Sequence, residues 1–202
     1  MYRNALVVAV AWMSVATPVA AFAQADVRAN EWSRGTDITA FAGTAVESSD
    51  AAPLIGGAMG WQLTPALGIE GSGGWLDRGH GRTAFAGALQ AHVRLLRARK
   101  VDPFVRAGIG LHRAEFASNE PSVPDFYRRR MTASLGAGSG RTFTDPTVVA
   151  GGGLNVPINR HLAVRPDAGA TLVFRGGRTH VVTTIAVHAV YHFESHAVTP
   201  LR

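Results

Sequence analysis

Cysteine is absent from the chain of 202 residues, so the protein can form no disulfide bond and perform no thiolate chemistry. A protein without thiols is also unaffected by an oxidising compartment such as the periplasm. Lysine is almost absent, since Lys100 is the only one and the other basic residues are arginines. Beyond the N-terminal segment there is no run of about 20 apolar residues, the length that a transmembrane helix needs. Any role in a membrane must therefore use β-strands or surface binding.

The N-terminal segment has the three regions of a secretory signal peptide in order. Arg3 precedes an apolar run from Ala5 to Ala16, and the small residues that follow offer small-x-small cleavage sites. We interpret residues 1–24 as a cleaved signal peptide and residues 25–202 as the mature domain. The chain is therefore expected to be exported from the cytoplasm.

The formal net charge of +6 makes the chain basic. A basic balance can indicate nucleic-acid binding, but the basic residues are not clustered on a helix and no nucleic-acid module is present. An exported protein meets phosphate mainly on lipid head groups and on lipopolysaccharide. We therefore expect lipids, and not nucleic acid, as partners.

Eight segments of the mature chain alternate apolar side chains with small or polar ones, and many of the glycines lie inside these segments. Each segment has about ten or more residues, the length that a tilted strand needs to cross a bilayer. Glycine and β-branched residues in these segments argue against helix. The predicted strands are Asp37–Val46, Leu54–Thr64, Ala66–Leu76, Arg82–Leu96, Pro103–Phe116, Thr147–Pro157, Leu162–Phe174 and His180–Phe193.

The connections between the predicted strands alternate in length. Those after the second, fourth and sixth strands are short. The connection after the fifth is long, from Ala117 to about Pro146, and those after the first, third and seventh are intermediate and polar. Short turns at one end and longer loops at the other are typical of an outer-membrane barrel. An even number of strands places both chain ends on the short-turn side, which is the periplasm.

The two faces of the predicted strands differ in polarity. In the fourth strand one face carries Phe85, Leu89 and Val93, whereas the other carries Gln90 and Arg94. A soluble β-barrel turns its apolar face inward, and a membrane barrel turns it outward. The alternation alone leaves both arrangements open.

The aromatic residues on the apolar faces favour the membrane arrangement. They form two bands separated by small and aliphatic residues, whereas a soluble core places large rings near its centre. Phe104 does not fit, because it lies on the polar face, and the faces of the first strand are ambiguous around Phe41. The predicted girdles are Trp75, Phe85 and Phe174 near the loops, and Trp61, Tyr191 and Phe193 near the turns.

These patterns predict an all-β fold, an eight-stranded antiparallel up-and-down transmembrane β-barrel with strands at roughly 37–193 and a short tail at 194–202. Four motifs stand in order along the mature chain: WQLTPALGIE at Trp61–Glu70, DPFVRAGIG at Asp102–Gly110, GGGLNV at Gly151–Val156 and YHF at Tyr191–Phe193. Through these motifs the sequence resembles the small outer-membrane β-barrel family, the OmpA-type transmembrane domain and its relatives, over nearly all of the mature chain. The closing aromatic-x-aromatic residues resemble the end of that family's assembly signal, which implies insertion by the barrel-assembly machinery.

Charged residues are predicted on the inward face of several strands. An eight-stranded barrel is just wide enough for side chains to fill its interior, and buried charges must pair. We expect a network of ion pairs that plugs the lumen, whereas a gap in the network would make the barrel a small-solute pore. The predicted members are Glu70, Arg94, Arg106, Arg165 and Asp167.

No catalytic, cofactor or metal site is predicted. His188 and His192 lie about 13 Å apart on one strand face, since the rise is about 3.3 Å per residue, so they cannot share one ion. A lipid-modifying barrel enzyme stays an alternative, for which Ser72, Asp77 and His80 are the nearest candidates. They match no recognisable motif.

The long loop carries the run Arg128-Arg129-Arg130. Arginine matches phosphate in a fork geometry, so these residues are a candidate contact for lipopolysaccharide, and a solvated loop surface is the alternative. The sequence therefore predicts a monomeric outer-membrane barrel of a Gram-negative bacterium with a structural or surface-interaction role and no enzymatic activity. The alternatives are a pore, a lipid-modifying enzyme and a soluble periplasmic ligand-binding barrel.

Overall fold

The architecture is taken from a computed structural model, which describes residues 35–47, 50–64, 66–79, 82–95, 101–116 and 141–194. The predicted signal peptide and most of the C-terminal tail lie outside these residues. Within the described part of the chain, no helix is long and apolar enough to span a membrane. The described residues form eight strands: β1 (Gly35–Glu47), β2 (Asp50–Gln62), β3 (Leu67–Asp77), β4 (Thr83–Arg94), β5 (Asp102–Phe116), β6 (Arg141–Pro157), β7 (Leu162–Arg175) and β8 (Arg178–Glu194).

The eight strands form one closed barrel in sequence order, with every neighbouring pair antiparallel. The barrel closes where β1 pairs with β8, from Gly35 opposite Glu194 to Glu47 opposite Val182. Closure removes the unpaired strand edges, so every strand is hydrogen-bonded on both sides, as a backbone in lipid requires. The predicted eight-stranded antiparallel barrel is confirmed.

The limits of the strands differ from the prediction mainly at the loop end. β6 begins at Arg141 and not at Thr147, so the last residues of the predicted long loop belong to a strand. The intermediate connection predicted after the first strand is wrong, because only residues 48 and 49 separate β1 from β2. β7 and β8 are joined by Gly176 and Gly177 alone, whose positive φ angles of 55° and 76° are those of a type I′ hairpin turn. One long connection, the 24 residues from 117 to 140, therefore distinguishes the loop end of the barrel from the turn end.

Along most of each strand, side chains alternate between the two surfaces of the barrel. In β4, Leu89 is 58% exposed on the outer surface and its neighbour Gln90 is 2% exposed in the lumen. The alternation also settles the two ambiguous aromatic residues. Phe41 and Phe104 both point inward, where Phe41 packs on His188 and Phe104 stacks on His92.

The outer surface is a continuous apolar band. Every large hydrophobic side chain that is exposed within the strands lies at an outward-facing position, with Ile109 the most exposed at 68%. All six aromatic residues of the predicted girdles are on this surface and exposed. A surface of this kind is unfavourable in water and favourable against acyl chains, which gives the barrel the polarity of a membrane protein.

The loop-side half of the lumen contains an apolar core. Its members come from every strand except β6, and Phe143 of β6 packs against them. Ala84 and Ala114 are small enough to let Phe116 extend into the interior. The buried members are Ala45, Leu54, Leu76, Ala84, Ala114, Phe116, Val173 and Val182.

Leu89→Arg tests the orientation of the barrel wall. Leu89 faces outward near the middle of β4, where an arginine in contact with lipid costs about 2–4 kcal/mol. We expect this loss in urea unfolding titrations in lipid vesicles, whereas the control Leu89→Ala stays much closer to the parent. Equal stability of the arginine variant and the parent would contradict an outward, lipid-facing Leu89.

Candidate functional site

Six polar side chains form a closed ring of hydrogen bonds and ion pairs across the middle of the lumen. They project from five strands, because each lies at an inward-facing position of β3, β4, β5, β7 or β8. We call them the lumen ring. Its members, in order of contact, are Glu70, Gln90, Arg106, Asp167, His188 and Arg165.

The lumen ring is closed by contacts within hydrogen-bond distance. Glu70 is the acceptor at one side, receiving bonds from Arg165 Nη2 at 2.7 Å and from Gln90 Nε2 at 3.0 Å. Arg106 lies between Gln90 Oε1 at 3.2 Å and Asp167 Oδ1 at 3.3 Å. All of these bonds involve a charged group, which makes them stronger than neutral hydrogen bonds.

His188 completes the ring and has a defined tautomer. Its Nδ1 lies 3.3 Å from Arg165 Nη2, and its Nε2 lies 3.0 Å from Asp167 Oδ2. A guanidinium can only donate, so Nδ1 accepts and the proton is on Nε2, the nitrogen that faces Asp167 Oδ2. His188 is therefore neutral in this arrangement. The ring then holds two carboxylates and two guanidinium groups, and its net charge is zero.

Aromatic rings support the lumen ring from both sides. The guanidinium of Arg165 lies 5.6 Å from the centre of the Phe104 ring, within cation–π range. His92 stacks on the same phenylalanine, and its Nε2 lies 3.4 Å from Glu70 Oε1. On the other side, the ring centres of Phe41 and His188 are 4.8 Å apart. These contacts restrict the rotamers of the charged groups.

Four of the five predicted lumen charges belong to the ring. The fifth, Arg94, is the last residue of β4 and lies at the turn end, where its backbone nitrogen donates to Ala66. Sequence reasoning missed Gln90 and His188 as ring members, because Gln90 was noted only as part of a polar face and His188 was considered as a metal ligand and not as a partner in ion pairs. Their polarity at inward positions next to predicted charges was the available signal.

A second polar cluster lies near the loop end of the lumen, and the sequence did not predict it. Glu47 pairs with both Arg78 and His180, and Arg78 Nη2 lies 3.4 Å from His112 Nε2. Arg78 follows β3, and its side chain is buried. Its side chain is directed into the barrel because the carboxylate of Glu47 is there.

The same end contains another buried pair. Arg175 donates to Asp145 Oδ2 at 2.7 Å through Nη2 and at 3.0 Å through Nε, and its guanidinium lies over the Phe143 ring at 4.2 Å. Asp145 was missed because β6 was predicted to begin at Thr147.

The seam between β1 and β8 carries a third interaction. His192 Nδ1 lies 2.5 Å from Asp37 Oδ1, and the imidazole is fully buried. His161 stacks on Tyr191 nearby, and its Nδ1 lies 3.2 Å from the carbonyl oxygen of His192. The pair joins the first strand to the last at the turn end, where the barrel closes.

The residues considered for catalysis do not come together. Ser72 lies in the lumen against Gln90 Nε2 at 3.3 Å, whereas Asp77 is exposed at the end of β3 and accepts a bond from the backbone of Gly79. His80 lies outside the described residues, as do His196 and Arg128, Arg129 and Arg130. Among the described residues, no group of three or more potential ligands is arranged to hold a metal ion.

A cavity of about 90 Å³ lies between the lumen ring and the apolar core. Glu70, Arg106 and Asp167 line it on one side, and Leu54 and Val182 on the other. It is large enough for water. Polar groups and apolar walls thus alternate along the axis of the barrel.

A closed barrel with an apolar outer surface and a charge-paired lumen defines the class of outer-membrane β-barrel proteins. The family model described as "Outer membrane protein beta-barrel domain" matches residues 7–193, and the chain belongs to this family. A comparison with curated proteins found no match.

Solved structures of two bacterial proteins show the same fold. The N-terminal β-barrel domain of OprF from Pseudomonas aeruginosa is 15% identical with a TM-score of 0.52, over 78% of this chain and 97% of that one. Neisserial surface protein A is 11% identical with a TM-score of 0.59, over 79% of this chain and 97% of that one. At these identities the likeness concerns the fold alone.

Asp167→Ala tests the energetic role of the lumen ring. It leaves Arg106 and His188 without their shared acceptor in a buried position, and breaking a buried pair costs about 3–5 kcal/mol. We expect this loss in urea unfolding of the refolded barrel. The control is Glu115→Ala, which breaks the exposed pair with Arg113 and should cost about 0–1 kcal/mol. Similar losses in the two variants would contradict a structural role for the ring.

Proposed function

We propose that the protein is a structural or surface-interaction protein of the outer membrane whose lumen is closed to solutes by its own side chains. The observation that carries this proposal is the closed lumen ring. Its six side chains join five of the eight strands by direct contacts. An eight-stranded barrel has no spare width beside such a ring.

The apolar core supports the same proposal from the loop side. Phe116 is 2% exposed and packs with Phe143 at a ring-centre distance of 6.0 Å, below the mouth of the barrel. An ion that entered from this side would have to pass an apolar layer before it reached the ring, and that passage is costly. Two different barriers therefore lie in series along the axis.

Single-channel recording in planar bilayers tests the closed lumen. We expect the parent to show no large, stable conductance steps. The double variant Arg106→Ala and Arg165→Ala removes two side chains that cross the lumen, so conductance should rise if the folded barrel is recovered. Arg113→Ala and Arg178→Ala together form the control, because they remove the same charge from exposed positions.

Large stable steps in the parent would overturn the closed lumen and favour the pore. A folded double variant that conducts as little as the parent would show that the lumen ring is not the barrier. Heat-modifiable gel migration identifies the folded fraction in each sample.

The soluble ligand-binding alternative is disfavoured by the outward position of Leu89, Ile109 and Leu111, each more than half exposed. A lipid-modifying activity lacks support, since Ser72 and Asp77 do not converge. We also infer that the barrel is monomeric and is inserted by the barrel-assembly machinery, on the strength of its family and the closing Tyr191-His192-Phe193.

The surface-interaction part of the proposal concerns Arg128, Arg129 and Arg130. They follow β5 in the longest connection of the chain, at the end opposite the chain termini. In a barrel of this class that end faces outward, where the leaflet is rich in phosphate. Three adjacent guanidinium groups match phosphate geometry and charge.

Replacing all three by Ser tests this contact. We expect weaker binding of lipopolysaccharide in a titration at low salt, with the difference from the parent shrinking at high salt because exposed charges are screened. A control variant carries Arg94→Ser, an arginine at the turn end of the barrel. Binding of the triple variant at low salt as tight as that of the parent would exclude these arginines.

A further inference from the structure

The lipid-facing surface between β4 and β7 has a groove of about 890 Å³. Its floor is low where Gly87 of β4 lies opposite Leu111 of β5, because glycine presents no side chain there. Aromatic and aliphatic side chains form the walls. They are Phe85, Leu89, Ile109, Leu111, Val148 and Phe174.

A positively charged side chain, that of Arg113, lies at the loop-side end of this groove. Arg113 faces outward from β5 with its side chain 56% exposed, and it lines both this groove and a smaller one of about 270 Å³ beside Trp75. In the register of the sheet Arg113 is opposite Phe85, and Phe85 is opposite Trp75. The guanidinium therefore lies at the level of the loop-side aromatic girdle, which is the depth of lipid head groups.

The guanidinium is held on one edge only. Its Nε and Nη2 contact Glu115 Oε1 at 3.1 and 3.0 Å, and among the described residues Nη1 has no partner. An exposed ion pair of this kind contributes little stability, so a stronger acceptor can displace the Glu115 carboxylate or share the guanidinium with it. Phosphate is such an acceptor, since it matches the donor fork of arginine.

We propose that this groove is a binding site for lipid A, the phosphorylated and acylated anchor of lipopolysaccharide. Arg113 binds a phosphate at head-group depth, and one acyl chain lies along Leu111, Leu89 and Ile109 towards the membrane centre. Charge complementarity at one end and an apolar trough below it match one amphiphile, and lipid A is the phosphorylated lipid of the leaflet that this end of the barrel meets. The inference rests on the proposed outer-membrane placement, but not on the closed lumen or on Arg128–Arg130.

Native mass spectrometry of the purified full chain in detergent, titrated with bisphosphorylated lipid A, tests the site. We expect one tightly retained lipid A in the parent and about tenfold weaker retention in Arg113→Gln, the loss expected for one charged hydrogen bond. The matched control Arg178→Gln removes the same charge from an exposed position at the same end of the barrel, outside the groove, and should bind like the parent.

A second pair of variants tests the trough independently of charge. Gly87→Leu fills the floor of the groove and should weaken retention, whereas Gly71→Leu adds the same side chain to an outward-facing position outside it. Heat-modifiable migration confirms that each variant is folded. Equal retention by the two leucine variants would overturn the proposed position of the acyl chain.

The choice of lipid distinguishes the source of the phosphate. Dephosphorylated lipid A should bind about as weakly to the parent as lipid A binds to Arg113→Gln, and phosphatidylglycerol should compete poorly. Equal competition by phosphatidylglycerol would overturn lipid A as the occupant, and equal losses in Arg113→Gln and Arg178→Gln would show a general charge effect and no site. If only the Arg128–Arg130 variant retained lipid A weakly, the proposed contact of those arginines would be supported and the proposed groove site would be refuted.

Discussion

The pairing of buried charges in the lumen is the constraint on which the rest of the structure depends. Lipid covers the outer surface, so every strand must turn its polar residues inward, and in eight strands there is little room for water around them. Each charge must then find a partner on another strand. The link from Glu70 to Arg165 joins positions 95 residues apart, and it is made only when the barrel is closed in the correct register. Charge pairing therefore specifies closure.

The same constraint explains the aromatic residues that lie inside. Phe104 and Phe41 occupy polar faces, where an apolar ring has no lipid to contact. Both pack on members of the lumen ring: Phe104 contacts Arg165, and Phe41 contacts His188. A flat, rigid ring excludes water beside a charged pair and so strengthens it, because the local dielectric falls. Phe41 and Phe104 therefore strengthen the charged contacts of the lumen ring, which accounts for their position on the inward face.

Much of the fold could be read from the sequence, because alternation has a period of two and lipid-facing residues must be apolar. The facing of Leu89 and Gln90 followed from the alternation of the strand together with the two aromatic bands, which favoured the membrane arrangement. The partners within the lumen did not, since strand register across a closed barrel is set by all eight pairings together. Asp145 was missed for a local reason: Pro146 lacks a donor and suggested a loop, yet it points outward within β6. The pair of Arg78 with Glu47 was not predicted, because the two residues come from different parts of the chain that only the closed barrel brings together.

The balance of buried charges is a further property of the lumen. The acidic and basic groups directed inward in the described part of the chain are equal in number, so they contribute nothing to the formal charge of +6. They are Asp37, Glu47, Glu70, Asp102, Asp145 and Asp167, with Arg78, Arg82, Arg94, Arg106, Arg165 and Arg175. The surplus of basic residues lies outside the described part of the chain, in residues 1–34, 96–100, 117–140 and 195–202. A lumen whose charges are balanced carries no net charge that would attract ions, which supports the proposed closed barrel.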